Sequence, residues 1–201
     1  MKYKLSLFTI ILITIFFYSC SSSNEKNINK DSVAAKVTPA TVLDTSNQII
    51  DSTILLNIKS LHEFSDTIVK DSFYLTLIGK TILNGRVIFK IINKDGQEIY
   101  KETFSAFDLL GDEASLISTD KNKADTITVR MNRFFDEKCF IKPAIKIIPE
   151  FDSDFSDKNI WKEINADKTS IGFLYSYGYE GVFAIAYSKL KRKAVQYFWS
   201  D

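Results

Sequence analysis

The sequence predicts an all-β domain: a single antiparallel β-sandwich, or a curved sheet closing toward a barrel, with minor helix. Three observations carry this. Apolar residues recur at every second position in several short segments after residue 50, the period of a strand with one buried face. Asp95-Gly96 separates two such segments, and Asp-Gly is a favoured tight hairpin loop because both residues tolerate positive φ. Helical periodicity is scarce, and turn residues return at a spacing that fits roughly seven to nine short strands.

The first residues read as an address. Lys2 and Lys4 precede a charge-free run from Leu5 to Tyr18. That run has the length of a signal-peptide apolar region and falls short of the ~20 residues that span a bilayer core. A conventional cleavage site needs small residues one and three positions before the cut. Counting back from Cys20, Ser19 is small and Phe17 is not. The stretch Phe17, Tyr18, Ser19 and Cys20 resembles the lipobox of bacterial lipoproteins, which ends in an invariant cysteine. Phe17 stands where leucine is usual and Tyr18 where a small residue is usual. The resemblance implies that the Cys20 thiol receives a diacylglycerol, that residues 1–19 are removed, and that the new amino terminus is acylated. An ordinary cleaved signal and an uncleaved anchor are the alternatives.

Residues 20–48 then form the lipidated cysteine and a tether. After Cys20 the segment has no aromatic residue, one proline and many small polar groups, too little apolar surface to offset the entropy of ordering. Its root-mean-square reach as a flexible chain is roughly 30 Å. More than one acyl chain suffices for stable anchoring at ~0.8 kcal/mol per buried methylene, so the serines after Cys20 serve as spacer. Residues 49–201 are the globular β-rich domain, long enough for one core and not for two.

Within that domain, residues 53–60 and 72–83 read as strands. The next two strands flank Asp95-Gly96, and a two-residue loop pairs residues whose numbers sum to 191. That pairing puts Val87, Phe89, Ile91, Tyr100 and Phe104 on a core face, with Lys90 and Lys101 outside. Residues 105–116 read as a helical turn or two. Residues 126–133 alternate cleanly as a strand, with Ile127, Val129 and Met131 inward. Residues 140–148 read as a further strand that Pro143 confines to an edge or a bulge. Asp157 is a plausible N-cap for one short helix over residues 157–164. Strands at 170–177, 182–188 and 194–200 close the chain, the last two pairing with a sum near 382. That sum sets Phe183 opposite Trp199, Ile185 opposite Tyr197 and Tyr187 opposite Val195, all on one core face.

The overall pattern resembles uncharacterised small lipoproteins of Bacteroidota. The likeness rests on the loose lipobox with its Ser/Asn/Lys tether, the single β-rich domain, and the closing hairpin "FAIAYSKLKRKAVQYF". It implies an envelope protein and carries no catalytic residues.

Composition narrows the function. Taking Lys2 and Lys4 from the 26 basic residues leaves one fewer than the 25 acidic ones, which argues against nucleic-acid binding by phosphate neutralisation. With Cys20 modified, Cys139 is the remaining cysteine, read as a buried structural thiol and not as a nucleophile paired with the sole histidine, His62. One histidine also rules out a multi-histidine zinc site, and no nucleophile elbow or phosphate-cradling glycine loop is present. No cofactor is expected and no residue is assigned a catalytic role.

Three stretches remain as candidate sites. Asp152, Asp154, Ser156 and Glu163 fall at the first, third, fifth and twelfth positions of a calcium loop, but the sixth, which needs glycine, is Asp157. A solvated acidic loop before a helix is the competing reading. Tyr175, Tyr177 and Tyr179 could form a sugar-stacking platform, or pack in the core as sheet aromatics commonly do. Lys189, Lys191, Arg192 and Lys193 mark a hairpin tip that could contact anionic lipid or glycan phosphate. The competing reading there is a solvated turn that blocks edge aggregation.

The sequence therefore points to a non-catalytic envelope module, lipid-anchored to a bacterial membrane through Cys20, with the outer membrane favoured, and binding a protein or glycan partner. A carboxylate-dependent hydrolase of cell-wall or imported glycan is the alternative. Cys20→Ala is expected to abolish incorporation of labelled fatty acid and to leave unprocessed or mislocalised protein. A wild-type chain that partitions into buffer, with a mature amino terminus elsewhere than Cys20, would contradict the lipid anchor.

Overall fold

The computed structural model describes residues 53–146, 157–178 and 181–200, with the side chains of the last two left out. The expected signal segment and tether, most of the acidic loop, Tyr179 and the Trp199 side chain lie outside the described residues.

Among the described residues, eight strands form two four-stranded antiparallel sheets. The first is a meander of β1 (Thr53–Glu63), β2 (Lys70–Gly79), β3 (Arg86–Ile92) and β4 (Glu98–Ser105). The second is β5 (Phe140–Ile141), β6 (Gly172–Tyr175), β7 (Val182–Ser188) and β8 (Lys193–Ser200), in that order. The sandwich expected from the alternation is thus present, and the two sheets do not close into a barrel.

The β3–β4 hairpin follows the expected register, with Val87 opposite Phe104, Phe89 opposite Glu102 and Ile91 opposite Tyr100. Its loop differs. The Gly96 N–H donates to the Asn93 carbonyl, Gly96 sits at φ 79°, and a register shift follows Ile91. These are the marks of a three-residue loop with a bulge in place of a two-residue turn.

Residues 126–133 are not a strand. They end an α-helix, α1 (Asp120–Asn132), which starts at an N-cap where Thr119 Oγ1 accepts from the Asn122 N–H at 3.1 Å. Ile127 and Met131 are both fully buried while Val129 between them is 53% exposed. Positions four apart satisfy a helical period and a strand period alike, so only Val129 distinguishes the two. Arg130 then ties α1 to the preceding 3-10 helix (Ala106–Ser115) by donating to the Leu109 and Leu110 carbonyls at 2.6 and 2.9 Å and pairing with Glu113. The strand expected over 140–148 is also shorter than read: only Phe140 and Ile141 pair with β6, at the sheet edge that Pro143 allows. β2 likewise ends at Gly79, not at residue 83.

The core between the sheets is aromatic. Phe73, Phe89 and Phe173 have no exposed surface, and Phe173 lies 5.7 and 5.6 Å from the other two rings. Such edge-on pairs add about 0.5–1.5 kcal/mol each to the area they bury. β7 is buried on both sides: Phe183 and Ile185 face this core, and Ala184 and Ala186 face the second helix, α2 (Lys158–Ala166). The expected N-cap is present, with Asp157 accepting from the Asn159 and Ile160 N–H groups. Ile160, Trp161 and Ile164 of α2 cover the outer face of the second sheet.

In the last hairpin Phe183 does lie opposite Trp199, but a register shift after Ala184 places Ile185 opposite Gln196 and Tyr187 opposite Ala194. The shift turns Tyr197 to the helix side, where its hydroxyl donates to the Ala144 carbonyl at 2.7 Å. Gly172 is required beneath it, since a Cβ there would lie 2.5 Å from the Tyr197 hydroxyl oxygen.

One carboxylate links the sheets. Glu102 of β4 accepts from Tyr175 at 2.7 Å, Tyr177 at 2.5 Å and Tyr100 at 3.0 Å. Burial pushes the Tyr100 and Tyr175 phenols well above their usual range, so both remain neutral donors. Glu102→Ala is expected to destabilise the domain by about 1–3 kcal/mol, the cost of leaving a buried donor unsatisfied. Glu102→Gln, which keeps an acceptor, should lose less, and thermal melts of both variants measure the difference.

Candidate functional site

β1, β3, β5 and β7 run toward one end of the sandwich, which therefore gathers the β1–β2, β3–β4 and β7–β8 turns with the α2–β6 connection. Each of these segments is fixed by a carboxylate. Asp71, with no exposed surface, accepts from the Ser65 N–H at 2.6 Å and the Ser65 hydroxyl at 3.0 Å. Asp66 accepts from the Ile68 and Val69 N–H groups and pairs with Lys94 at 2.9 Å, joining the first turn to the second. Asp167 accepts from both the N–H and the hydroxyl of Thr169 and pairs with Lys189 at 2.7 Å. Glu163 of α2 accepts from the Lys189 and Leu190 N–H groups and the Ser188 hydroxyl, holding the β7–β8 turn.

Between these turns lies a groove of about 270 Å³. Phe64, Ile171 and Tyr187 line it with Ser65, Thr67, Thr169 and the two ion-paired aspartates. The lysine hydrogen bonds to Asp66 and Asp167 hold both carboxyls down at about 2. Burial acts the other way on Asp71 and raises it. The groove thus presents fixed charges and hydroxyls, a surface suited to polar recognition.

A second cavity of about 260 Å³ adjoins it, sharing Ile171 and lined by His62, Lys70, Glu137 and Lys142. His62 is buried, stacked on Phe140 at 3.8 Å between ring centres. Its Nε2 lies 2.7 Å from the Ser60 hydroxyl and its Nδ1 3.6 Å from Glu137. Ser60 and His62 meet because residues two apart on a strand share a face. The order serine, histidine, carboxylate is that of an acyl-transfer triad. The geometry falls short of one: Ser60 does not line the cavity, and Glu137 is 90% exposed at a distance beyond hydrogen bonding.

Of the sequence-derived candidates, Tyr175 is buried in the core and Tyr177 stacks flat on Phe104 at 4.2 Å, both bonded to Glu102. Tyr179 lies outside the described residues, as do Asp152, Asp154 and Ser156. Lys189 borders the groove, while Lys191, Arg192 and Lys193 are exposed on the adjoining tip. Glu163 and Lys189, assigned by sequence to different candidate sites, are in direct contact. Asp66, Asp167 and the Ser60–His62 contact were not singled out from sequence. Asp66 and Asp167 each accept the N–H two residues on, the Asx turn that aspartate favours, and that turn chemistry is the only signal the sequence held for them. Among the described residues, no group of three or more His, Cys, Asp or Glu side chains could hold a metal ion. No protein-family profile, curated protein sequence or solved structure matches this chain.

Burial lowers the His62 pKa, against a smaller opposing pull from Glu137. Between that lowered value and the unfolded value of about 6.5 the unfolded chain binds more protons than the native one, so stability rises with pH in this window. Wild-type protein is expected to lose stability as pH falls below about 6.5. His62→Gln should remove that slope, and denaturant titrations across the interval check it.

Proposed function

We propose that this chain is an envelope protein held to a bacterial membrane by a lipid on Cys20, and that it acts as a non-catalytic binding module through the groove at the turn-bearing end. The observation that carries the reading is the state of Asp66 and Asp167. Both line the groove, each paired with a lysine, Lys94 at 2.9 Å and Lys189 at 2.7 Å, which favours the charged carboxylate. A carboxylate-pair hydrolase needs one member protonated at working pH to serve as general acid. This pair supplies charge and hydrogen-bond acceptors but no proton, which favours recognition over hydrolysis.

Hydroxyls of Ser65, Thr67 and Thr169 beside the half-buried Tyr187 ring suit a glycan or a polar peptide segment. Thr67→Trp places a large side chain in the groove from an exposed turn position. Tagged full-length protein should retain a specific partner from native envelope, and Thr67→Trp should lose it while its melting temperature stays unchanged. Equal recovery by both proteins would refute the groove as the site. Release of cleaved glycan by the wild type, abolished by Asp167→Asn, would replace binding by hydrolysis.

A further inference from the structure

The turns flanking the groove carry aliphatic side chains at their tips. Ile68 is 86% exposed and Val69 42% exposed on the β1–β2 turn, and Leu190 is 67% exposed on the β7–β8 turn. Neighbouring backbone is committed to presenting them: Asp66 accepts from the Ile68 and Val69 N–H groups, and Glu163 accepts from that of Leu190. Each tip is flanked by cations, Lys70 beside Val69, and Lys191, Arg192 and Lys193 after Leu190, all exposed. Of the nearby acids, Asp66 and Asp167 are paired with Lys94 and Lys189, Glu163 is taken up by the turn N–H groups, and Glu63 lies opposite Lys70. Among the described residues, Lys191, Arg192 and Lys193 form no ion pair.

Backbone strain points the same way. Arg192 has φ 53°, and every other positive-φ position among the described residues is a glycine. A non-glycine residue in that region is strained and persists where the surrounding structure fixes it. Here the strained position places an exposed guanidinium on the β7–β8 turn.

We propose that this end of the sandwich is an interfacial surface that docks on an anionic phospholipid bilayer, with Ile68, Val69 and Leu190 entering the headgroup–acyl boundary and the surrounding cations meeting lipid phosphate. A bilayer fits the pattern better than a folded protein partner does. The aliphatic tips are separated by a polar groove, and a fluid interface accommodates isolated tips where a rigid surface needs a continuous apolar patch. The proposal rests on the reading of this end as a binding surface, and it names an anionic membrane as what that surface meets. The groove would then meet its ligand at headgroup level.

Hydrogen exchange of the full-length chain tests it, with vesicles of equal parts phosphatidylglycerol and phosphatidylcholine compared against phosphatidylcholine alone. The N-terminal segment is common to both arms. Exchange in residues 64–70 and 188–193 is expected to slow with the anionic vesicles only. Lys191→Gln or Arg192→Gln should each weaken the apparent vesicle affinity about fivefold. The double variant Ile68→Ser, Leu190→Ser should abolish the protection with its melting temperature unchanged. Equal slowing with both lipids, or none with either, overturns the proposal. Protection that survives the double serine variant, or that inorganic phosphate reproduces, identifies a soluble-anion site instead and also overturns it. A specific partner recovered from envelope without vesicle protection would leave the groove reading standing and remove only the bilayer.

Discussion

Glu102 faces the space between two sheets lined with phenylalanine, and a carboxylate there is tolerable only if its oxygens are hydrogen bonded. Three phenols meet that demand, one from its own strand and two from the other sheet or just beyond it. Much of the architecture follows. To deliver Tyr175 and Tyr177, β6 must run out over β4 and continue past its own end, stacking Tyr177 between Phe104 and Phe183. The chain then reaches the 3-10 helix, where the Gly178 N–H donates to the Asp108 carbonyl at 2.7 Å. Gly111 opposes it at φ 53°, and a Cβ there would lie 3.1 Å from the Gly178 carbonyl oxygen. One inward acid thus ties the two sheets together and sets the course of the chain from β6 to Gly178.

At the opposite end the same chemistry is used in smaller units. Asp66, Asp71, Asp167 and Glu163 each accept backbone N–H groups of a turn, and two of them add a lysine. The lysine hydrogen bonds favour the charged form of Asp66 and Asp167, while burial works against it at Asp71. Acids abundant enough to invite a hydrolytic reading here serve as clamps on the turns around the groove.

The alternation of Val87, Phe89 and Ile91, the capping role of Asp157 and the pairing of Phe183 with Trp199 were legible in the sequence because each depends on local spacing. The identity of 126–133 was not, since Ile127 and Met131 fit either period and only the tertiary placement of Val129 resolves it. Bulges in β4 and β8 were likewise hidden, because one extra residue leaves no compositional mark. That hidden residue decides whether Tyr197 faces the sheets or α2. The tyrosine cluster was visible as a cluster, but Glu102 seventy-odd residues earlier, which commits two of its members to the core, was not. The groove depends on contacts between turns distant in sequence, such as Asp66 with Lys94 and Asp167 with Lys189, which periodicity cannot supply.

β1 begins and β8 finishes at the end of the sandwich opposite the clamped turns, and among the described residues β1 is an edge strand bonded only to β2. A pull transmitted through the residues before Thr53, against resistance at the turns, acts along the axis of β1. Its ladder with β2 runs from Thr53 opposite Gly79 to Glu63 opposite Lys70, and is loaded in shear. All of those hydrogen bonds then resist together, whereas entry from the other end would peel them open one after another. Along that axis, resistance depends on the β1–β2 ladder, the one ladder β1 forms among the described residues.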